Sequence, residues 1–329
     1  MPDARRARGS IIYKERTFPL INLIYTDNSD KTDDISVSLA DREGFWQNEG
    51  FPNRGDKIAA AIEVEDWRWR GDNRAINLGE FEIANVNLSD IMTLSATAVP
   101  INGNVRGEKK NRGWRSVALS RIAADIAGIA GLRLVYETDF DPFFNDKSDF
   151  EFLEKLCSAD GLCMKITDGQ LIIYEQYKYE AKPAIATLTK GQSNIIGNPN
   201  FNRNLQQIYT ACEIAYFDPR TDQTRRGFFR APNVEGESKI LRLRENAGRH
   251  GADVNLDRRA RTRLREQNKD EWTCAMAIVG DLRFFAGINL EYDGWGKYDG
   301  KYHVYSCEHS IDQSGYRVLL NSRRALEGY

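Results

Sequence analysis

Histidine is nearly absent: His250, His303 and His309 are the only three in 329 residues. That leaves few general bases for acid–base or triad chemistry. Cysteine is sparse as well, with Cys157, Cys163, Cys212, Cys274 and Cys307. Their number is odd, their spacing wide, and no C-x-x-C occurs, which argues against a disulfide framework or a structural zinc site. Buried reduced thiols acting as small hydrophobes are the expected state. The sequence holds no P-loop G-x-x-x-x-G-K-[ST], no H-E-x-x-H and no G-x-S-x-G. Gly71, Gly79 and the other glycines are not spaced as a dinucleotide fingerprint. Net charge is −2, so no global field draws the chain to nucleic acid or an anionic membrane. No stretch reaches the ~18 apolar residues of a membrane span. Arg5, Arg6 and Arg8 near the start are not followed by the apolar segment of a signal peptide. A soluble chain folding in a reducing cytoplasm is the expectation.

What is present is ordinary globular material. The hydrophobic fraction is 41% and the charged fraction 29%, so a sizeable core can form beneath a densely but evenly charged surface. At roughly 100–200 residues per domain, two or three domains are expected.

The first hundred residues alternate in the manner of strands. Ile35–Leu39, Ile58–Val64, Phe81 with Ile83, and Met92–Ala96 repeat with period two between turn residues such as Pro52, Asn53, Gly55 and Asp56. This pattern implies antiparallel β-structure with one buried face. Pro100–Gly113 reads as a linker. Beyond it Trp114–Ala130 sets Val117, Ala118, Ile122, Ile126 and Ile129 at helical spacing, with Gly131 as a stop. Leu132–Tyr136 reads as a short strand. Ser148 and Glu151 fit a capping box opening a helix that buries Phe152, Leu153 and Leu156. Met164–Tyr174 reads as a hairpin turned by Asp168-Gly169, so residues 114–178 form a small α/β unit. The last third returns to strands at Ile208–Tyr216 and Trp272–Ile278. One helix, from about Leu256 to Asn268, interrupts them, and Arg220–Ser238 reads as a long exposed loop.

One internal echo stands out. Gly79-Glu-Phe81-Glu-Ile83-Ala-Asn-Val86 matches Gly300-Lys-Tyr302-His-Val304-Tyr-Ser-Cys307, and turn glycines Gly55 and Gly287 precede the apolar strands upstream of each. Two hairpins obeying the same alternation rule would account for it, as would a duplicated β-domain.

Candidate chemistry is thin. His303, Cys307 and His309 share parity on one strand, but ligands so spaced spread over about 20 Å at ~3.3 Å per residue, too far for one ion. Core or subunit-contact roles fit them better. The acidic pairs Asp139/Asp141 and Glu63/Glu65 could serve a glycosidase if they lay within ~5–10 Å, yet such pairs arise readily among 48 acids. Arg258, Arg259, Arg261, Arg263 and Arg265 lie on the last helix without forming one narrow stripe. A solvated helix or a polar subunit interface fits them better than nucleic-acid binding. No catalytic, cofactor-binding or metal-binding residue is therefore expected.

Taken in order, the segments resemble a known family. Asp41-Arg-Glu-Gly-Phe-Trp46, Pro52-Asn-Arg-Gly55-Asp56-Lys-Ile58 and Leu78-Gly79-Glu-Phe81-Glu-Ile83 resemble the opening of the phage late control D family, the baseplate hub proteins. Arg112-Gly-Trp114, the helix to Gly131-Leu132, and Ser148-Asp-Phe150 with Phe152-Leu153 before Gly161 look like its middle module. Asp299-Gly300-Lys-Tyr302, His309 and Gly315-Tyr316 look like its closing hairpin. The resemblance implies a fold that is mainly β with an α+β insertion: two tail-tube-like β-barrel domains plus a small α/β module. The implied divisions are 1-100 for the first tube-like domain, 101-180 for the linker and module, and 181-329 for the second tube-like domain with one helix. It implies a structural, non-enzymatic subunit of a contractile phage tail or tailocin-like injection particle, made in the bacterial host cytoplasm. The family resembles the core of valine-glycine repeat spike proteins. The implied partners are further copies of the chain in a trimeric ring, the tail tube protein and the central spike protein, with tape-measure protein and baseplate wedge as further candidates. No cofactor, membrane or specific nucleic acid is implied. A tail-associated peptidoglycan hydrolase and a DNA-contacting connector are the alternatives.

Overall fold

The computed structural model describes residues 5–41, 44–89, 91–98, 117–144, 150–218, 222–232, 239–245 and 255–329. The expected linker at Pro100–Gly113, the motif residues Arg112 and Trp114, the cap Ser148, and His250 lie outside them.

Seven strands open the chain: β1 (Arg6–Tyr13), β2 (Arg16–Pro19), β3 (Asn22–Asn28), β4 (Asp34–Leu39), β5 (Lys57–Glu65), β6 (Arg74–Leu88) and β7 (Met92–Thr97). The middle holds β8 (Val117–Ala118), α1 (Leu119–Ala130), β9 (Arg133–Glu137), β10 (Phe143–Phe144), α2 (Phe150–Ala159), β11 (Leu162–Thr167), β12 (Gln170–Glu175) and α3 (Gln176–Ala181). The remainder holds β13 (Ala186–Thr189), β14 (Ile195–Arg203), β15 (Ala211–Asp218), β16 (Gln223–Arg230), β17 (Ile240–Glu245), α4 (Leu256–Asn268), β18 (Trp272–Val279), β19 (Asn289–Asp293), β20 (Gly300–Asp312) and β21 (Gly315–Arg324).

Thirteen of these strands make one sheet in the order β14-β18-β21-β20-β3-β4-β7-β6-β5-β1-β2, with β19 branching from β20 and β13 from β19. The path is open from β14 to β2. The two separate β-barrels expected from the sequence are not formed: among the described residues no sheet closes. The reason lies in β20. Its first residues pair with β19, Gly300–His303 against Tyr292–Asn289. Its later residues, Ser306–Ile311, pair with β3. Hydrogen bonds that closure would use are spent joining the two halves of the chain into one mainly antiparallel sheet. Val117 and Ala118, expected in the first helix, form a short strand with Phe144 and Phe143 instead. They stand next to the helix start because the Leu119 N–H is taken by the Pro142 carbonyl.

The middle elements form an α/β unit. β11, β12 and β9 make a three-stranded sheet, and Asp168 and Gly169 turn its hairpin with φ of 44° and 67°, the positive angles a tight hairpin turn needs. Its helices bury Leu119, Ile122, Ile126, Leu153 and Leu156 in a core continuous with that of the large sheet. The expected exposed loop at Arg220–Ser238 is in part strand. β16 pairs with β15, and β17 joins on the other side to make a third sheet. α4 covers it with Leu256, Ala260 and Leu264, giving a second small core. Arg-rich strands such as Gln223–Arg230 hide their character in sequence because only Gly227 of the eight is buried.

The two echo segments occupy matching places in the large sheet. Phe81 pairs with Ile58 and Tyr302 with Leu290. Each long strand then shifts register by one residue on its other neighbour, at Ala84 in β6 and at Tyr305 in β20. In both a backbone bond of 2.9 Å marks the spot, from Ile83 N–H to the Asp56 carbonyl and from Val304 N–H to the Ile288 carbonyl. The turn glycines Gly55 and Gly287 have φ of 92° and 90°. Tyr25 meets Phe81 edge-on at 6.0 Å, and Phe201 meets Tyr302 edge-on at 6.3 Å. Thus β3, β4, β7, β6 and β5 correspond to β14, β18, β21, β20 and β19.

Candidate functional site

Neither carboxylate pair weighed for hydrolysis lines the cleft beside the helix Leu256–Asn268. Asp141 accepts from the Ser120 N–H at 2.8 Å and from its hydroxyl at 2.5 Å, so it caps α1. Asp139 is fully exposed near Lys178. Glu63 and Glu65 share the outward face of β5, Glu65 facing Arg8 at 3.8 Å. Among the described residues no group of three or more His, Cys, Asp or Glu could hold a metal.

The β20 trio is split by the bulge. Two residues oppose one at Tyr305, which resets the alternation. His303 therefore faces away from Cys307 and His309, and the shared parity read from sequence does not hold. His303 Nδ1 meets Asn289 Oδ1 at 2.9 Å. His309 is held between Tyr316 OH at 2.7 Å and the Phe284 carbonyl at 2.8 Å. Both rings are fully buried, and burial pushes both pKa values down to about 4. They are neutral core residues. The five cysteines are all buried, and none of them is in a disulfide.

The α4 arginines are neither a solvated face nor a stripe. Arg259 and Arg265 are buried, Arg259 against Asp160 at 3.9 Å and Arg265 against Glu180 at 2.6 Å. Arg323 reaches the same Glu180 at 3.7 Å. Burial works to raise the Glu180 pKa, but the two guanidiniums outweigh it and hold the carboxylate below its usual range. Arg258 stacks over Phe140 with its guanidinium 3.5 Å from the ring centre. Asn255 caps the helix, accepting from the Arg258 N–H at 2.9 Å. α4 thus ties the small third sheet to the α/β unit. A cleft of about 490 Å³ runs beside it, lined by Asp160, Tyr177, Asp257, Arg258, Arg261 and Tyr329. Neither acidic pair reaches it.

A second charged seam was not foreseen. Lys165 of β11 is bonded to Asp27 of β3 and lies 3.3 Å from Asp33. Both carboxylates are buried. The Tyr25 hydroxyl donates to Asp33 at 3.3 Å and the Asn28 N–H at 3.1 Å, while the Ala286 N–H donates to Asp27 at 2.7 Å. Burial raises the Asp33 pKa to about 7, with Lys165 pulling it back. Burial works against the charged Lys165, yet the two carboxylates outweigh it and keep the ammonium above its ordinary range. Next to the seam the Tyr174 hydroxyl donates to the Ser29 carbonyl, and Thr32 bridges Ile166. The large sheet, the α/β unit and the β18–β19 connection meet here. One signal was legible in advance: Asp27 continues the inward phase of Leu23 and Tyr25, where an unpaired charge would be costly.

These clusters clamp parts of one chain together; they do not converge on a substrate. What stays open is backbone. Among the described residues β14 pairs only with β18, and β6 beyond Glu82 pairs only with β7.

No family model matches the chain, and no curated protein matches it in sequence. Solved structures do. A tail protein from Neisseria meningitidis superposes with a TM-score of 0.70 at 11% identity, over 97% of each chain. The 43 kDa tail protein of prophage MuSo2 from Shewanella oneidensis does so with 0.65 at 12% identity, also over 97% of each. An Escherichia coli component of the type VI secretion system, described as similar to bacteriophage T4 tail proteins, gives 0.55 at 10% identity over 97% of this chain and 78% of that one. At such identities the likeness is one of fold.

Proposed function

We propose that this chain is a structural, non-enzymatic tail component, the baseplate hub of a contractile phage tail or tailocin-like particle. In this reading it belongs to the late control D type and forms a trimeric ring joining the tail tube to a central spike. The carrying observation is the internal repeat: two corresponding five-strand units lie side by side in one sheet, so three chains would present six similar units. A ring of that kind can meet a threefold spike on one face and a sixfold tube on the other. The fold likeness to phage tail proteins over nearly the whole chain supports the same reading. Residues 1–100 and 181–329 would each contribute one unit, and 101–180 the module clamped between them by the Lys165 and Glu180 clusters. The particle would assemble in the host cytoplasm, with tube and spike as direct partners and tape-measure protein or wedge as further ones.

The test is imaging of the assembled particle. Three copies at the tube–spike junction, lining the lumen, are expected. Six copies there, or a peripheral place on the baseplate, would sink the assignment. Clearing of purified cell wall by the isolated chain would favour a hydrolase instead.

A further inference from the structure

The small third sheet has two unlike faces. Its inner face is apolar and covered. Cys212, Ile214 and Tyr216 of β15 pack with Leu256, Ala260 and Leu264 of α4, and a side chain at Gly227 of β16 would collide with the Leu256 backbone. Side chains alternate along a strand, so the intervening residues share the outer face. The registers order them. Arg230, Phe228, Arg226 and Thr224 of β16 lie beside Ala211, Glu213, Ala215 and Phe217 of β15. On the other side, Ile240, Arg242 and Arg244 of β17 lie beside Ala211, Glu213 and Ala215.

Four arginines thus share this face with one carboxylate, Glu213. It accepts from Arg226 at 2.9 Å and lies 3.5 Å from Arg242, yet those two arginine side chains stay 70% and 71% exposed. Asp257 stands at the β16 edge, accepting the Phe228 N–H at 2.8 Å. Among the arginines sit two large rings, Phe217 and Phe228, 50% and 49% exposed.

We infer that this face binds single-stranded nucleic acid without regard to sequence, Phe217 and Phe228 stacking on bases while the arginines hold phosphates. The inference stands on this sheet alone and does not depend on the hub reading. A single strand offers a π-face on every base and a charge on every phosphate, and rings among cations on an open surface match both. The central strand contributes the small Ala211 and Ala215, which leave the floor between the outer rows low. Phe228 and Phe217 lie about 14 Å apart, from four residues at ~3.3 Å along β15 and one strand spacing of ~4.8 Å across, with Arg226 between them. Rings on a sheet reach unstacked bases, whereas a duplex keeps its base faces inside the stack. An acidic protein segment would use the charge but has no need of the two rings. Net charge of the chain is −2, so the attraction is local to this face.

Fluorescence anisotropy with the full chain tests this. The probes are oligothymidylate and oligouridylate of about 15 nucleotides, within the ~4–16 nucleotide site sizes of β-sheet single-strand binders. Four phosphate contacts give a salt slope of about −2.8, so affinity should fall about 50-fold between about 50 and 200 mM salt. F217A with F228A, both at exposed positions, should weaken binding at least about tenfold at an unchanged melting temperature. R230Q with R244Q should make the salt slope shallower by about 1.4. Arg70 is exposed in the turn between β5 and β6, and R70Q should alter neither affinity nor slope. Tighter binding of thymidylate identifies DNA as the natural ligand and of uridylate RNA; either supports the site. A duplex of the same length bound as tightly, or binding that survives loss of both rings, overturns it. So does absence of binding at about 50 mM salt. Polyglutamate competing as well as the oligonucleotides also overturns it, and would mark an acidic protein segment as the occupant. None of these outcomes bears on the copy number at the tube–spike junction, which imaging decides separately.

Discussion

Replacing Lys165 with methionine keeps the side chain's bulk but strips the charge from the seam between β11 and β3. Asp27 and Asp33, both buried, then face each other without their shared cation. Breaking a buried ion pair from one side costs about 3–5 kcal/mol. The cost should depend on pH with a definite sign. Asp33 already titrates near 7 when folded, raised from 3.8. A raised carboxyl stabilises the fold fully below its unfolded value, and that contribution is lost as pH climbs through the folded one. In the natural chain the decline ends a little above pH 7. Without Lys165 the folded pKa rises further, so the decline continues at about 1.4 kcal/mol per pH unit. The gap between variant and natural chain should therefore widen from pH 7 to pH 8.5 and be smallest near pH 6. Urea unfolding across that range measures it. A companion change of both Asp27 and Asp33 to asparagine in the K165M background should remove the widening, since no carboxyl is then left on the Lys165 side of the seam. Parallel pH profiles, or a loss below about 1 kcal/mol at pH 8, would refute the seam as an ionic clamp.

Trp46 is fully buried and stacks on Tyr13 at 4.9 Å, so W46A should cost about 3–5 kcal/mol in chemical denaturation. Arg265→Met leaves Glu180 with the more distant Arg323 and the Leu326 N–H at 3.4 Å; a loss of about 3 kcal/mol is expected, shrinking in acid as Glu180 protonates. The natural chain should weaken as pH falls from about 6.5 towards 4, because His303 and His309 stay neutral in the fold but charge when unfolded; replacing His309 with phenylalanine should flatten part of that slope, read by melting temperature against pH.

The sequence made strands legible wherever one face was buried. β4, β5 and β7 alternate cleanly because Ile35, Val37 and Leu39, Ile58, Ala60, Ile62 and Val64, and Met92 and Leu94 all point inward. α4 was legible as a helix from about Leu256 to Asn268. Closure was not, since the same alternation suits a barrel and an open sheet. What decides between them is the length and bulge of β20, and a bulge leaves no mark in periodicity beyond a broken parity at Tyr305. The arginines of α4 misled for a related reason: a charged helix in sequence reads as solvated until its partners Asp160 and Glu180, about a hundred residues away, are placed beside it. Asp27 and Asp33 carried a faint signal through the phase of β3, but nothing in the sequence tied them to Lys165.

The β20–β3 ladder also sets a clock. Contacts across it join distant parts of the chain: the Asp27–Ala286 bond spans 259 residues. A ribosome adding about 5–20 residues per second needs roughly 10–50 s to cover that distance. For that time the first unit holds β3 as a bare edge, with Asp27 lacking its Ala286 donor. The same bare edge on a neighbouring nascent chain is a competing partner. Crowded synthesis of identical chains therefore favours exchange of the last hairpin between molecules, which pays the same hydrogen bonds without the long loop closure. The polar lining of the edge, Asn22, Thr26, Asp27 and Asn28, works against that mistake, because Asp27 is satisfied only by Lys165 and Ala286 together.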